Sequence, residues 1–304
     1  MKYELPFYYS DEWKKYEIEY LNSNGHKVIK DLSNYIENTQ SIILLCQYNT
    51  KYVLRGYRDG IIFPTPTNFN IENIHIKKRI SKIQKIFDEI NQIFKTENIS
   101  DTKIYQEPIS CYKLGYSIFS LLNIYDFQDV STLHICIDYD DNVDADNIEL
   151  FMKPGSARTI INGYKKLNIK YKIYFGDIPE CIFSSFIKKH NTLSGKVTKS
   201  MHCWSYLKEL IINKQAILVV CDDNYILFHI SSRYNYYGIN ACDKKNKIVT
   251  YLLYEGIKWL HKNGYKFIHF NTYHLFETDE KMKNIAKFKQ SFCNKMFTQY
   301  LVKK

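Results

Sequence analysis

Two stretches near the end of the chain decide the fold: Gly264–Asn271, which reads GYKFIHFN, and Asn284–Phe292, which reads NIAKFKQSF. The first is a short apolar run with aromatic residues, which predicts a buried strand. An amphipathic pattern before it predicts a helix. The second stretch predicts a basic helix in which Phe288 and Phe292, four residues apart, share one face. The order is therefore helix, buried strand, polar loop and basic helix.

This order, together with the unit Phe288-Lys289-x-x-Phe292, resembles the C-terminal end of FemABX-type acyltransferases of the GNAT fold superfamily. The resemblance implies an α/β fold of two tandem GNAT-like lobes, each a mixed central sheet flanked by helices. It also implies transfer of an acyl or aminoacyl group onto an amine. Residues 1–150 are expected to form a degenerate lobe and residues 151–304 the acyltransferase lobe, with a last strand that could pack on the first lobe.

Periodicity predicts alternating helices and strands along the rest of the chain. The predicted helices cover residues 10–22, 77–94, 111–122, 157–167, 181–190, 202–212, 251–262 and 281–292. The predicted strands cover residues 41–47, 52–57, 103–106, 132–138, 170–175, 216–221, 225–232, 236–241, 266–270 and 296–302. No repeat is visible in the sequence itself, so the two-lobe expectation rests on the order of elements.

The composition is that of a globular chain, with 304 residues, 45% hydrophobic and 24% charged. The longest apolar runs are far too short to span a bilayer, so no stable membrane insertion is expected. The start of the chain lacks the basic and apolar regions of a secretory signal. Eight cysteines are scattered singly without a Cys-x-x-Cys unit, which argues against a disulfide framework or a zinc site. A cytoplasmic location is therefore expected.

Charge is distributed unevenly along the chain. Residues 1–150 hold 16 Lys and Arg against 22 Asp and Glu, a net charge of −6, whereas residues 151–304 hold 26 against 10, a net charge of +16. A basic half suggests an anionic ligand, such as coenzyme A phosphates, a nucleotide-activated sugar or RNA. A solvated lysine-rich surface explains the same numbers.

The start of the second half offers candidate donor-binding residues. Ser156 is expected to cap the helix at 157–167 and to leave backbone N–H groups facing an anion, with Arg158 beside them. The resemblance places the beginning of the second FemABX domain here. A capped surface helix with core-facing apolar residues is the alternative, although it leaves Arg158 unexplained.

Candidate catalytic residues lie in the C-terminal stretches. Lys289 could hold a donor phosphate or stabilise a developing oxyanion. His269 and His274 are candidates for the general base, and Asn271 for donor binding, because ligands of open α/β sheets lie off the carboxyl ends of strands. Tyr236 could act as general acid or line the acceptor site. Each residue type also has ordinary structural roles, as a solvated lysine, a structural histidine or a core aromatic.

The expected donor is acetyl-CoA or another acyl-CoA, and the expected acceptor is the amine of an amino sugar or similar cell-surface glycan precursor, which could be nucleotide- or lipid-linked. Within the resemblance, aminoacyl-tRNA with a peptidoglycan precursor remains open, and the basic half favours tRNA. The interval 183–210 is too short for the long helical hairpin often found in that branch. The Gln/Arg-x-x-Gly-x-Gly/Ala loop of ordinary CoA-binding GNAT domains is not recognisable.

Two further alternatives come from local patterns. A non-catalytic RNA-binding protein is compatible with the basic half and with interleaved aromatic residues such as Arg233–Tyr237. The acidic segment Asp138–Glu149 places oxygens at the ligand spacing of an EF-hand loop, but Val143 replaces the turn glycine and a strand precedes it. A solvated loop without metal is expected there.

Overall fold

The computed structural model describes residues 6–36, 39–66, 76–108, 111, 117, 127–139, 143–152, 155–231, 234–243, 247–273 and 279–303. The chain forms two compact units, as expected for a two-lobed fold. Lobe 1 comprises residues 13–132 and 298–304, and lobe 2 comprises residues 1–12 and 133–297. This division differs from the expected boundary at residue 150, because Ile135 and Ile148 are fully buried in the core of lobe 2.

The described residues of lobe 1 include two helices, α1 (Asp11–Ser23) and α2 (Ile76–Thr96). Its strands are β1 (His26–Asp31), β2 (Thr39–Gln40), β3 (Leu44–Tyr48), β4 (Lys51–Arg55), β5 (Gly60–Ile62), β6 (Thr65–Pro66), β7 (Lys103–Tyr105) and β8 (Gln128–Asp129). The predicted hairpin is the antiparallel β3–β4 pair. Helix α2 buries Phe87, Ile90 and Phe94 at helical spacing in the core of the lobe.

Lobe 2 contains a 3₁₀ helix at Phe7–Tyr9, another at Ala145–Phe151, and five α-helices among its described residues. The helices are α3 (Ser156–Lys166), α4 (Glu180–Ser194), α5 (Met201–Ile212), α6 (Ile248–Lys262) and α7 (Glu280–Gln290). The strands are β9 (Thr132–Asp138), β10 (Lys172–Tyr174), β11 (Ala216–Cys221), β12 (Asn224–His229), β13 (Asn235–Ala241), β14 (Phe267–Thr272) and β15 (Lys295–Gln299). They form one sheet in the order β10-β11-β12-β13-β14-β9-β15.

The last strand of the chain is divided, which the sequence did not predict. Instead of one strand over residues 296–302, β15 ends at Gln299 and β16 (Leu301–Lys303) follows Tyr300. Strand β15 joins the sheet of lobe 2 beside β9, whereas β16 pairs antiparallel with β7 and β8 of lobe 1.

The two faces of the lobe 2 sheet differ in chemistry. One face is aliphatic and aromatic, and helix α6 packs so closely on it that a side-chain carbon at Gly256 would lie 2.4 Å from the Phe228 ring. Phe292, two residues beyond the end of the last helix, stacks on Phe270 there with ring centroids 6.3 Å apart. The other face carries buried histidines, and Phe186 of α4 packs against its residue Tyr225.

No helix in the described ranges is both long enough and apolar enough to cross a membrane.

Candidate functional site

The sheet of lobe 2 opens between β13 and β14. These adjacent strands are parallel and pair only at Asn235 opposite Ile268 and at Tyr236 opposite His269. Both strands lie wholly within the described residues, and beyond these two pairs they continue without pairing to each other. An opening at the carboxyl ends of parallel strands is where open α/β sheets bind ligands.

A bulge follows the last paired residue of each strand. In β13 the register against β12 shifts at Gly238, the extra residue between Tyr237 and Ile239. In β14 the register against β9 shifts between His269 and Thr272, and Asn271 takes a left-handed φ of 78°. Bulges bend a strand and re-aim its side chains, so the local backbone accounts for the divergence.

A chain of hydrogen-bonded side chains begins in the interior beside this opening. The Tyr234 hydroxyl lies 2.5 Å from His269 Nδ1, and His269 Nε2 lies 2.7 Å from His134 Nδ1. All three side chains are fully buried. Buried polar atoms are stable when they are hydrogen-bonded, and each imidazole here uses its nitrogens for that purpose.

The same chain continues from the interior to the strand ends. His134 Nε2 lies 3.3 Å from Thr272 Oγ1, and Thr272 Oγ1 lies 3.2 Å from Asn271 Oδ1. The Asn271 amide nitrogen donates to the Tyr236 hydroxyl at 3.1 Å. Thr272, Asn271 and Tyr236 are half-buried, so the chain leads from the protein interior to the opening. We call these six residues, Tyr234, His269, His134, Thr272, Asn271 and Tyr236, the histidine chain.

Aromatic rings enclose the buried part of the histidine chain. The Phe297 ring lies 5.7 Å from the His134 ring and 5.4 Å from the His269 ring, centroid to centroid. Tyr8 packs edge-on against Tyr234 at 5.1 Å. Such apolar walls make a charged imidazole costly, and they strengthen every hydrogen bond within them.

A third histidine and a lysine lie on the same face. His229 stacks against Tyr236 with ring centroids 6.2 Å apart. Burial, and then the positive charge of Lys199, lower the pKa of His229 to about 3, so this imidazole is neutral at physiological pH. Lys199 Nζ lies 5.4 Å from the centroid of the Trp204 ring, and burial lowers the pKa of Lys199. A half-buried cation beside neutral imidazoles is suited to holding an anionic group.

The structure brings three of the predicted site residues together. Tyr236, His269 and Asn271 all belong to the histidine chain. His269 is fully buried, so it cannot contact an acceptor amine directly, and any role as a base must pass through His134 and Thr272. His274 lies outside the described residues.

Lys289 lies elsewhere on the same lobe, on helix α7. It is half-buried, and its positive charge acts on the thiol of Cys293, which is also half-buried. Its catalytic role remains a prediction.

The predicted donor-binding residues of helix α3 need correction. The helix begins at Ser156 itself and its N-cap is Gly155, so Ser156 is the first helical residue rather than the cap. Arg158 donates from Nε to the carbonyl of Glu149 at 3.1 Å and from Nη2 to those of Leu150 and Met152 at 2.8 Å. Its guanidinium therefore binds the end of the preceding 3₁₀ helix, a structural role in place of the expected anion contact.

Two carboxylates of the acidic segment before α3 form ion pairs with neighbouring helices. Asp146 Oδ1 forms ion pairs with Lys258 at 2.8 Å and Lys262 at 2.7 Å, and Glu149 pairs with Lys165. These carboxylates thus attach the segment to α6 and α3. In the part of the chain that the structure covers, no three His, Cys, Asp or Glu side chains form a cluster able to hold a metal ion.

Sequence reasoning missed His134, Tyr234 and Thr272. His134 is 135 residues from its partner His269 along the chain, and nothing local indicates that β9 pairs with β14. The available signal was alternation in the strand TLHICID, which places His134 and Cys136 on one face and the isoleucines on the other.

Comparison with known proteins bears on the fold. No family model and no curated protein sequence matches the chain. Among solved structures, FemX superposes with a TM-score of 0.63 at 10% identity, covering 98% of this chain and 92% of that one. L-PGS from Bacillus licheniformis gives a TM-score of 0.58 at 10% identity, covering 97% and 91%. The expected FemABX/GNAT-like fold is confirmed, and at this identity the likeness concerns the fold alone.

Proposed function

We propose that this protein transfers an acyl group onto an amine at the opening between β13 and β14. The observation that carries the proposal is the divergence of these parallel strands after two residue pairs, with Tyr236, Asn271 and Thr272 hydrogen-bonded together beside it. The FemABX/GNAT-like fold supports the same class of reaction. An opening lined by oriented hydroxyl and amide groups is suited to a polar acyl donor rather than to an apolar ligand.

An acyl carbonyl in the opening would meet two kinds of group. Strand β14 does not use the backbone N–H groups of β13 beyond Tyr236, and such groups can bind the amides of an extended donor or stabilise a developing oxyanion. The Tyr236 hydroxyl, oriented by the Asn271 amide, can donate its proton to the leaving group as general acid.

The donor is proposed to be an acyl-CoA, with acetyl-CoA as the first choice. Helix α6 starts at Ile248, and its N-cap Lys247 gives no side-chain hydrogen bond to the first turn. The positive end of the helix and the charge of Lys247 can therefore attract phosphate groups. Only residues 195–200 separate α4 from α5, which leaves no room there for the long helical hairpin expected of the tRNA-dependent branch.

A second donor is favoured by one observation. The net charge of +16 over residues 151–304 suits a polyanion, so an aminoacyl-tRNA donor with a peptidoglycan precursor as acceptor is the alternative.

For the acceptor we propose the amine of an amino sugar or a similar cell-surface glycan precursor. Lys199, beside His229 and Trp204, is the residue proposed to hold its anionic group, such as the phosphate of a nucleotide- or lipid-linked sugar.

The first test is a thermal-shift titration with acetyl-CoA, with bulk tRNA in a parallel arm. A ligand of the native state raises Tm in step with the logarithm of its concentration. A saturable shift with acetyl-CoA alone supports the acyl-CoA donor, and a shift with tRNA alone supports the aminoacyl donor. The absence of a shift in both arms contradicts acyl transfer from either donor.

A pair of lysine variants separates an enzyme from an RNA-binding protein. Under the proposal, Lys289→Ala lowers kcat for transfer from the bound donor, whereas Lys281→Ala, an exposed lysine on the same helix, changes nothing. Equal and small losses of tRNA binding in both variants, without any transfer, would favour non-catalytic RNA binding.

A further inference from the structure

We infer that the imidazole pair of His134 and His269 is the proton acceptor of the reaction and that Thr272 connects it to the acceptor amine. This inference deepens the function proposed above and rests on it. Thr272 is the last residue of β14, half-buried at the opening, and both imidazoles lie behind it in the interior. His134 is the partner that sequence reasoning missed, and it gives the buried His269 a route to the strand end.

The hydrogen bonds of the histidine chain can be arranged in two complete orders. When Thr272 donates to His134 Nε2, His134 carries its proton on Nδ1 and donates to His269 Nε2, which leaves His269 Nδ1 to donate to the Tyr234 oxygen. In the reverse order Tyr234 donates first and Thr272 donates to Asn271 Oδ1. Because the hydrogen bonds can run in either direction along the unbroken chain, the chain can pass a proton from one end to the other.

Acyl transfer forms one bond and breaks one bond at the acyl carbon. The amine nitrogen forms a bond to the acyl carbon, and the bond from that carbon to the sulfur or oxygen of the donor breaks. The surplus proton of nitrogen passes to Thr272 Oγ1 while the hydroxyl proton of Thr272 passes to His134 Nε2. The leaving group keeps the electron pair of the broken bond and takes the Tyr236 hydroxyl proton, and the imidazole pair then releases its proton through Thr272 at the opening, where Tyr236 is reprotonated.

Two imidazoles in contact lower the energetic cost of accepting a proton in the protein interior. A single imidazolium surrounded by apolar side chains is strongly disfavoured. In the pair, one proton is shared between His134 Nδ1 and His269 Nε2, which lie 2.7 Å apart, and the Tyr234 oxygen faces the other nitrogen of His269. The two rings then titrate as one unit. Among the described residues, the titratable groups that face the pair include the hydroxyls of Tyr234 and Tyr236 and the thiol of Cys136.

Cys136, opposite His269 in the sheet, does not compete for the proton near neutral pH. Burial raises the pKa of Cys136 far above its ordinary value, so this thiol is neutral. The charges of Asp138 and Lys295 act on that thiol with opposite signs. The acidic limb of the pH–activity profile, where activity is lost as the pair becomes protonated, should therefore report the imidazole pair.

The test compares two substitutions of one residue. Thr272→Val removes the hydroxyl and keeps the shape, whereas Thr272→Ser keeps the hydroxyl. With acetyl-CoA and glucosamine as probe substrates, or with aminoacyl-tRNA if only that donor binds, Thr272→Val should lower kcat about 100-fold with little change in KM. Thr272→Ser should stay within about threefold of wild type. Full turnover by Thr272→Val overturns the inference.

A second measurement does not depend on activity. In ¹⁵N spectra of the histidine rings, His134 and His269 should titrate together, and His134→Gln should remove one signal and shift the other. If transfer occurs but the two rings titrate independently, the relay is wrong and the proposed function stands. If the rings titrate as a unit while neither donor supports transfer, the proposed function fails, and the relay fails with it as a catalytic device.

Discussion

The described residues of each lobe include a pair of adjacent parallel strands, β5–β7 in lobe 1 and β13–β14 in lobe 2, and the two pairs end differently. In lobe 1, β5 and β7 are paired along their whole length, from Gly60 opposite Lys103 to Ile62 opposite Tyr105, and we call them the closed pair. In lobe 2, β13 and β14 are paired at two positions and then diverge, and we call them the open pair. A ligand that inserts between strands needs backbone groups that no neighbouring strand uses, and of these two described pairs it is β13–β14 that offers them.

The polar residues beside the two strand pairs also differ in where their hydrogen bonds lead. Beside the closed pair, Asp59 accepts hydrogen bonds from Lys103 Nζ at 2.7 Å and from the Tyr105 hydroxyl, so these groups satisfy one another. Beside the open pair, the histidine chain runs from the interior to the strand ends and reaches the opening at Thr272 and Tyr236. The satisfied polar groups beside β5 and β7 fit a structural role, and the open strand ends of β13 and β14 agree with the function proposed for lobe 2.

The largest expected effect tests the closed pair. A side-chain carbon at Gly60 would lie 2.0 Å from the carbonyl oxygen of Lys103, a contact that no side-chain rotation relieves. Gly60→Ala should therefore force β5 away from β7 and lower the free energy of unfolding of lobe 1 by ~3 kcal/mol. Hydrogen exchange, resolved by peptide, should show the loss in lobe 1 peptides. Unchanged protection there would mean that β5 is not held as described.

The second prediction concerns two buried groups that both prefer the neutral form, Glu17 in lobe 1 and His229 in lobe 2, and therefore respond to pH with opposite sign. Glu17, 5% exposed in lobe 1, has its pKa raised to about 8 by burial. Its carboxyl is neutral in the folded lobe but ionises near pH 4.5 when unfolded, so stability falls as pH rises from 4.5 to 8, by at most ~1.4 kcal/mol per pH unit. Glu17→Gln should abolish this fall, measured by urea unfolding between pH 5 and 9.

The control for that experiment is lobe 2, where the sign reverses. His229 has a folded pKa of about 3 against an ordinary value of 6.5, so its contribution to stability is complete above pH 6.5 and is lost as pH falls toward 3. Glu17→Gln should leave this acid-side loss in lobe 2 peptides unchanged. A change there would show that Glu17 acts beyond its own lobe.

Particular residues show what the sequence could predict. Strands β9 and β11 were predicted with their observed bounds, because alternation or a continuous apolar run suffices to define them. The division of the last strand at Tyr300 was not predictable, since both halves have strand-forming composition and only their different partners separate them. Arg158 was misjudged for a similar reason, because a basic residue in a first turn does not reveal the carbonyls folded against it.

The third prediction tests the bulge that accompanies the open pair. A side-chain carbon at Gly238 would lie 2.9 Å from His229 Cδ2 and 3.2 Å from Leu227 Cδ2, both side-chain atoms that can shift. Gly238→Ala should cost only ~1–2 kcal/mol of stability yet displace His229 against Tyr236, and so weaken donor binding. Isothermal titration with acetyl-CoA measures the binding. Wild-type affinity in this variant would place the donor elsewhere.

The smallest expected effect comes from the glycine-to-alanine substitution at a third position, Gly163. It tests whether bound donor reaches the surface groove beside Lys247. Gly163 lies in helix α3, and in the described structure no atom lies within 4 Å of a side-chain carbon added there. Gly163→Ala should therefore raise the free energy of unfolding by ~0.5–1 kcal/mol, because alanine loses less backbone entropy in a helix. Gly163 also lines a surface groove with Tyr164, Leu167 and Lys247, and the added methyl group would enter it. If acetyl-CoA binding is unchanged while stability rises, the groove beside Lys247 does not bind the donor phosphates, and the proposed donor site is confined to the opening between β13 and β14.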